Sequence, residues 1–414
     1  MIEEGNLSIR TAMGDTLRVV VAGDTCFRMG VASEDVRNGR AGEILRGVAP
    51  FLNDADLRVV QWEMVLTEAE TPIDKSGPNL KAPPFCTEFA TAAGFDVALL
   101  ANNHAGDYGP DAALETRDHL RRVGVATVGL GANLAEAVQP LSIERAGFRI
   151  GIINVAENEF GLARPNRAGG APLDLPANLR AIRRAKREND LVLMFLHGGN
   201  EHFPLPSPRI VDTCRAYVDA GADAVVCIHT HCPQGLEVYE GVPIVYCPGN
   251  FFFSREDHQD LESFLWIGYL PKITFDRKGA TSIELLPYRL FPNPWRIEKF
   301  AKPQEDAFLR YLARISELIG QPAELQRLFE AWAAKHGLPF LQKLCAGEAY
   351  RWPDNLQDRE QVKTILSLRN MLTCEAHHSV LCAVMRLIEE YRLEAALAAW
   401  PEIEALQSTA FLNV

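Results

Sequence analysis

The chain has 414 residues, 47% of them hydrophobic and 23% charged, which is enough apolar material for one large core and an accessory region and excludes disorder as the default. Its formal net charge of −12 excludes a general nucleic-acid binder, because recognition of a phosphate backbone draws on clustered Lys and Arg. An acidic chain still accommodates a phosphorylated or carboxylated ligand where the site itself carries metal or a few placed cations.

Residues 1–16, "MIEEGNLSIRTAMGDT", read as an N-terminal extension without the apolar stretch of a signal peptide. No later run reaches the roughly 20 apolar residues of a spanning helix, so the expectation is a cytoplasmic protein with no membrane span. From residue 17 short β-branched runs alternate with helical stretches, the pattern of a layered α/β fold. "LRVVVAG" (17–23), "LRVVQWE" (57–63), "FDVALLAN" (95–102), "LVLMFLHGG" (191–199), "ADAVVCIHTH" (222–231) and "PIVYCPGN" (243–250) read as strands buried on both faces of one sheet. Residues 264–290 read as two strands around the turn "DRKG". After "FPNPW" (291–295) the character changes. "EDAFLRYLARISELI", "AELQRLFEAWAAKH" and "SVLCAVMRLIEEYRLEAALAAW" carry helical periodicity, and about three to six helices of ordinary length fit there. The organisation is thus an extension (1–16), an α/β domain (17–300) and a helical region (301–414) docked on it. Nine cysteines without a CxxC pair read as small buried hydrophobes rather than a disulfide framework or a structural zinc site.

Each of the six strand runs ends in a polar or glycine-containing turn, and in open α/β sheets ligands bind outside the carboxyl ends of the strands. Asp24 follows the first run, where a lone Asp is ordinarily a cap, and Glu63 ends the second, where a lone Glu is ordinarily solvated. "NNHAGDYG" places Asn103, whose carbonyl can ligate a metal, beside His104, which stays free to move protons, with Asp107 three residues on. His197 ends the fourth run, with Glu201 and His202 beyond it, and His229 and His231 form an H-x-H at the end of the fifth. Imidazole is the commonest transition-metal ligand, so that spacing is the strongest local signal. Asp24, Glu63, Asn103, His197, His229 and His231 share one address, and their mixed N and O donors suit Mn, Fe or Zn in a two-metal centre with a bridging carboxylate.

The motifs "AGDTCF", "QWE", "KAPP", "LLANNHAGDYG", "LHGGNEH" and "DAGADAVVCIHTHCPQGLEVYEGVPIVYCPGNFFF" occur in the order seen in the CapA family of poly-γ-glutamate capsule biosynthesis proteins. Residues 17–290 resemble that family, which falls within the calcineurin-like metallophosphoesterase superfamily. The resemblance implies a four-layered α/β/β/α sandwich with the site at one edge of paired sheets, here followed by the helical C-terminal region. It implies that Asp24 and His231 hold a first metal, that Glu63 bridges, and that Asn103, His197 and His229 complete a second site. His104 would be the general acid, oriented by Asp107. The superfamily usually carries D-x-H where this chain has Asp24-Thr25-Cys26, so Cys26 is either a replacement ligand or an inert buried thiol, and one or two ions are expected.

The leading expectation is metal-dependent hydrolysis of a phosphoester by activated water. Two others stand beside it: a metal-independent acid/base enzyme on a peptide, as in CapA-like epimerases, and a non-catalytic factor of polyglutamate or capsule assembly. The partner in any of these is a small molecule or peptide carrying phosphate or carboxylate, and Lys81 and Asn250 are the candidates for holding it.

Overall fold

Strands that are apolar at almost every position can be satisfied only when both faces are covered, and this chain covers them with a second sheet on one side and helices on the other. The computed structural model describes residues 4–28, 30–255, 258, 260, 262–345 and 359–414. The first sheet is centred on Leu17–Cys26, which runs parallel to Leu57–Trp62, followed by Val97–Leu99 and Ala126–Val128. On its other side lies the antiparallel hairpin Ile267–Asp276 and Gly279–Pro292, built around "DRKG" as the sequence indicates. Asn250–Phe253 pairs with the carboxyl end of Leu17–Cys26.

The second sheet has a parallel centre of Phe148–Ala156, Leu191–His197, Ala224–Ile228 and Val242–Val245, with antiparallel edges Leu141–Arg145 and Leu236–Tyr239. The six strand runs therefore belong to two sheets, three to each, and not to one. The reason is a strand missing from the sequence reading, Phe148–Ala156, which pairs with Leu191–His197 from Ile150↔Leu191 to Ala156↔His197 and starts a new sheet. Periodicity identifies a strand but not its neighbour.

Between the sheets, Val19, Val21, Val59 and Leu99 join Ile150, Ile152, Leu193 and Val226 in one continuous core. Each such side chain contributes about 1.5–3 kcal/mol when fully buried. The outer face of the first sheet, Val20, Ala22, Val60 and Ala98, packs with Phe89, Ala113 and Leu120 of the helices Thr87–Ala93 and Gly109–Arg122. The helices Leu175–Glu188 and Pro208–Asp219 cover the second sheet. The layering is the expected α/β/β/α sandwich.

The C-terminal region is helical, beginning with Lys302–Ile319 and Pro322–Cys345 and ending with Trp400–Gln407. Phe308, Leu312, Ile315 and Ile319, three or four residues apart, form the stripe that Lys302–Ile319 buries in the sandwich core. The stretch of helical periodicity over 379–400 is divided between two helices, Glu375–Glu389 and Leu393–Leu397. Glu375–Glu389 ends before Tyr391, whose φ of 56° is left-handed, while Arg392 N–H returns to Leu387 O at 2.8 Å. Among the described residues no helix is long and apolar enough to cross a membrane.

Candidate metal centre

Parallel strands bring their carboxyl ends to one edge, so both sheets deliver their strand-end residues to the same rim of the sandwich. Leu17–Cys26 carries a register shift between Ala22 and Asp24, a bulge that turns Asp24 at the end of its pairing with Leu57–Trp62. Gly23 makes the bulge possible, since a Cβ there would lie 1.8 Å from the Gly249 carbonyl oxygen. Glu63 follows the neighbouring strand, tied by its N–H to Thr25 O at 3.0 Å. From the second sheet come His197, His229 and His231. The last two hold positive φ angles of 130° and 56°, conformations that cost about 1–3 kcal/mol each and concentrate at functional sites.

His197 Nε2 lies 3.0 Å from Asn103 Oδ1, 3.1 Å from His229 Nδ1 and 3.4 Å from Glu63 Oε1. His231 Nδ1 lies 3.6 Å from Asp24 Oδ2, and its Nε2 is 4.0 Å from Glu63 Oε1. Two buried groups with metal-ligand spacing result: Glu63, His197 and His229, and Asp24, Glu63 and His231. Glu63 belongs to both. Among the described residues, neither oxygen of Asp24, neither oxygen of Glu63, nor His197 Nδ1 has a hydrogen-bond partner. Four carboxylate oxygens without a donor are a large desolvation cost, and imidazole, carboxylate and amide oxygen together fit a borderline divalent cation.

The electrostatics carry the mark of that enclosure. Burial pushes the Asp24 carboxyl up to about 7 and, with Asp24 beside it, raises Glu63 well above the usual range. Burial, reinforced by His229 and His231, holds His197 far below its ordinary value, and burial brings His231 down to about 3. For His229 burial opposes the proton, but Glu201, Glu159, Glu157 and Asp24 together outweigh it and its pKa rises. Neutral His197 and His231 offer the lone pair a metal ligand needs, whereas the raised values of Asp24, Glu63 and His229 mean that these groups would give up protons on holding a cation.

The turn after Val97–Leu99 is held by Asn102, whose Nδ2 donates to Trp62 O at 2.8 Å and whose Oδ1 accepts from His104 N–H at 3.0 Å. This points Asn103 at His197 and turns His104 away. His104 Nδ1 is 2.6 Å from Asp107 Oδ2, which also accepts from Leu80 N–H at 2.6 Å, while Asp107 Oδ1 takes the Lys75 ammonium. Burial and then Lys75, 3.2 Å from Nδ1, lower the His104 pKa against the pull of Asp107. With Nδ1–H on the carboxylate, Nε2 is the nitrogen left for a ligand.

Two candidates stand elsewhere than the sequence reading put them, and a third is resolved between its two alternatives. Lys81 does not line the cavity: its Nζ donates to Ala69 O at 2.6 Å and lies over the Tyr108 ring. Asn250 is buried rather than open to a substrate, and its Oδ1, 2.8 Å from His231 Nδ1, fixes that ring. Cys26 lies outside both ligand groups, in the apolar layer with Val20, Ala22 and Phe27, where burial pushes its thiol up. That is the inert alternative for this residue.

Other site residues come from positions without a sequence signal. Lys75 lies in the loop before "KAPP" with only 3% of its side chain exposed, and no periodicity marks a buried Lys. Glu159 Oε1 is 3.8 Å from His229 Nε2, and its other oxygen accepts from Asn370 Nδ2 at 3.2 Å. Reading "FRIGIINVA" as a strand would have found Glu159 by the carboxyl-end rule. Over the centre lies a cavity of about 520 Å³, lined by Arg28, Lys75, Asn103, His104, His231 and Arg255, among others.

The sequence model of the bacterial capsule synthesis protein PGA_cap matches residues 18–255. The chain is 28% identical over 283 residues to the PGA biosynthesis protein CapA of Bacillus subtilis (strain 168), covering 67% of this chain and 74% of that protein. It is 30% identical over 221 residues to the capsule biosynthesis protein CapA of Bacillus anthracis, covering 51% of this chain and 54% of the relative. Among solved structures, the 5'-nucleotidase precursor from Thermus thermophilus is similar at a TM-score of 0.42 and 14% identity, over 74% of this chain and 59% of that one. With the family match spanning more than half of its length, the chain belongs to the bacterial capsule synthesis protein family PGA_cap.

Proposed function

We propose that the chain is a divalent-metal-dependent phosphoesterase working within capsule polymer synthesis, the process named for its relatives. The observation that carries this reading is the pair of buried ligand groups sharing Glu63, whose carboxylate oxygens have no other partner among the described residues. Asp24 and His231 would hold one ion, Asn103, His197 and His229 the other, and Glu63 both. Mn, Fe and Zn are the ions that suit these donors. The chemistry that such ions supply when bound is polarisation of a phosphoryl oxygen and acidification of water.

The chain's own groups do the rest. Lys75, Arg28 and Arg255 line the cavity where a phosphoryl group would sit, and their positive charge draws an anion into an otherwise acidic protein. Asp107 accepts from His104 Nδ1 and holds the ring so that Nε2 faces the cavity, placed to hand a proton to the leaving oxygen. Asn250 and Asn102 keep His231 and the turn carrying Asn103 in place. A metal-free proton-transfer role for Asp24 is less well supported, because that carboxylate is completely enclosed.

The test is elemental analysis of protein purified without chelators, coupled to release of phosphate from a panel of phosphoesters. About two equivalents of metal per chain and turnover that disappears in His229→Ala are expected. An unimpaired His229→Ala, or a folded chain that takes up no metal, refutes the proposal.

A further inference from the structure

A second chamber, of about 410 Å³, adjoins the cavity over the candidate centre. The two share Glu159, Glu201, His202 and His377 as walls, and His229 itself lines the second one. Its far side is aromatic and comes wholly from the C-terminal helices: Trp332 and Phe340 on Pro322–Cys345, and Trp400 at the start of Trp400–Gln407. The Trp332 and Trp400 ring centroids lie 6.0 Å apart, and His336 stacks on Trp332 at 3.8 Å.

Two neighbouring helices, Arg359–Thr373 and Glu375–Glu389, are fastened to the metal side, the second packs on Pro322–Cys345, and Gln407 Nε2 at the end of Trp400–Gln407 donates to His202 O at 2.8 Å. Asn158 N–H donates to Glu375 Oε2 at 2.8 Å, Ala376 N–H donates to Glu157 Oε2 at 3.2 Å, and Asn370 reaches Glu159. The aromatic wall therefore stands at a fixed distance from His229. At the junction, Glu159 and Glu201 repel any second anionic group passing from the centre into the chamber. Flat rings, by contrast, are what Trp332, Phe340 and Trp400 pack against best.

We propose that the chamber is a subsite for an uncharged, ring-bearing organic group of the substrate, whose phosphoryl end sits at the metal centre. The inference rests on the phosphoesterase reading, and it makes the helical region part of substrate selection.

The test is calorimetric titration of the metal-loaded protein with two non-hydrolysable probes, phenylphosphonate and methylphosphonate. Phenylphosphonate binds roughly tenfold tighter or more if its ring is buried in the chamber. Trp400→Ala, or Phe340→Ala should the first variant not fold, brings that ratio down towards one. Equal affinities in the wild type overturn the subsite and leave the phosphoesterase reading intact. Failure of both phosphonates to bind metal-loaded protein overturns the reading and the subsite with it.

Discussion

Replacing Asp24 with Asn should stabilise the metal-free protein at alkaline pH, although it removes a proposed ligand. Asp24 is 0% exposed, and neither of its oxygens has a hydrogen-bond partner among the described residues. Burial lifts its carboxyl from 3.8 to about 7, the opposite of what a well-paired carboxylate does. Because the folded value lies above the unfolded one, the carboxylate costs nothing below about pH 4, costs progressively more as the pH rises to 7, and keeps its full cost above that. At about 1.4 kcal/mol per tenfold, the full cost is about 4 kcal/mol. An unsatisfied Asn amide in the same place takes back about 1–3 kcal/mol, which leaves a net gain of about 2 kcal/mol at pH 8. Urea unfolding in the presence of a chelator, at pH 4 and pH 8, reads the difference. Saturating divalent metal should reverse the order, since the wild type binds it better. A chelated Asp24→Asn protein no more stable than wild type at pH 8, or equally stabilised at both pH values, would refute the reasoning.

Lys75→Met leaves Asp107 buried with His104 and Leu80 N–H as its remaining partners, so a loss of about 2–3 kcal/mol in urea unfolding is expected, below the full value for breaking a buried pair. A change under about 1 kcal/mol would show that the ion pair contributes little. Gly23→Ala drives a Cβ into the Gly249 carbonyl, separating Leu17–Cys26 from Asn250–Phe253, and should cost more than about 3 kcal/mol and most of the soluble yield. Gly42→Ala, where a Cβ meets nothing, is the control and should be neutral or slightly stabilising.

The site was legible in the sequence to the extent that it sits at the ends of buried strands. Asp24, Glu63, Asn103, His197, His229 and His231 each follow an apolar run, and the carboxyl-end rule gathers them whichever sheet each strand joins. That is why assigning all six runs to one sheet did not scatter the cluster. Lys75 was hidden because its burial is created by a loop folding over Asp107, which no local pattern encodes. Asn370 and His377 were hidden for a different reason: helical periodicity shows that a helix has an apolar face, but not that its end will roof a cavity some 200 residues earlier in the chain. Asn250 was misjudged on orientation, and for Cys26 the sequence left two readings open. Each is a polar or reactive residue beside the motif, and strand geometry turned one to hold a ring and the other into the apolar layer.

Three of the six gathered residues ride on each sheet, so the gap between the sheets is also the gauge of the centre. The cross-sheet core of Val19, Val21 and Val59 against Ile150 and Ile152 lies among apolar residues that never meet a ligand, yet it sets how far Asp24 stands from His231 and Glu63 from His197. A methyl group added or removed there changes the aperture offered to an ion, because close-packed interiors transmit such shifts rather than absorb them. If the centre holds ions as proposed, its preference among them would be tunable from the hydrophobic interior, with every candidate ligand left in place.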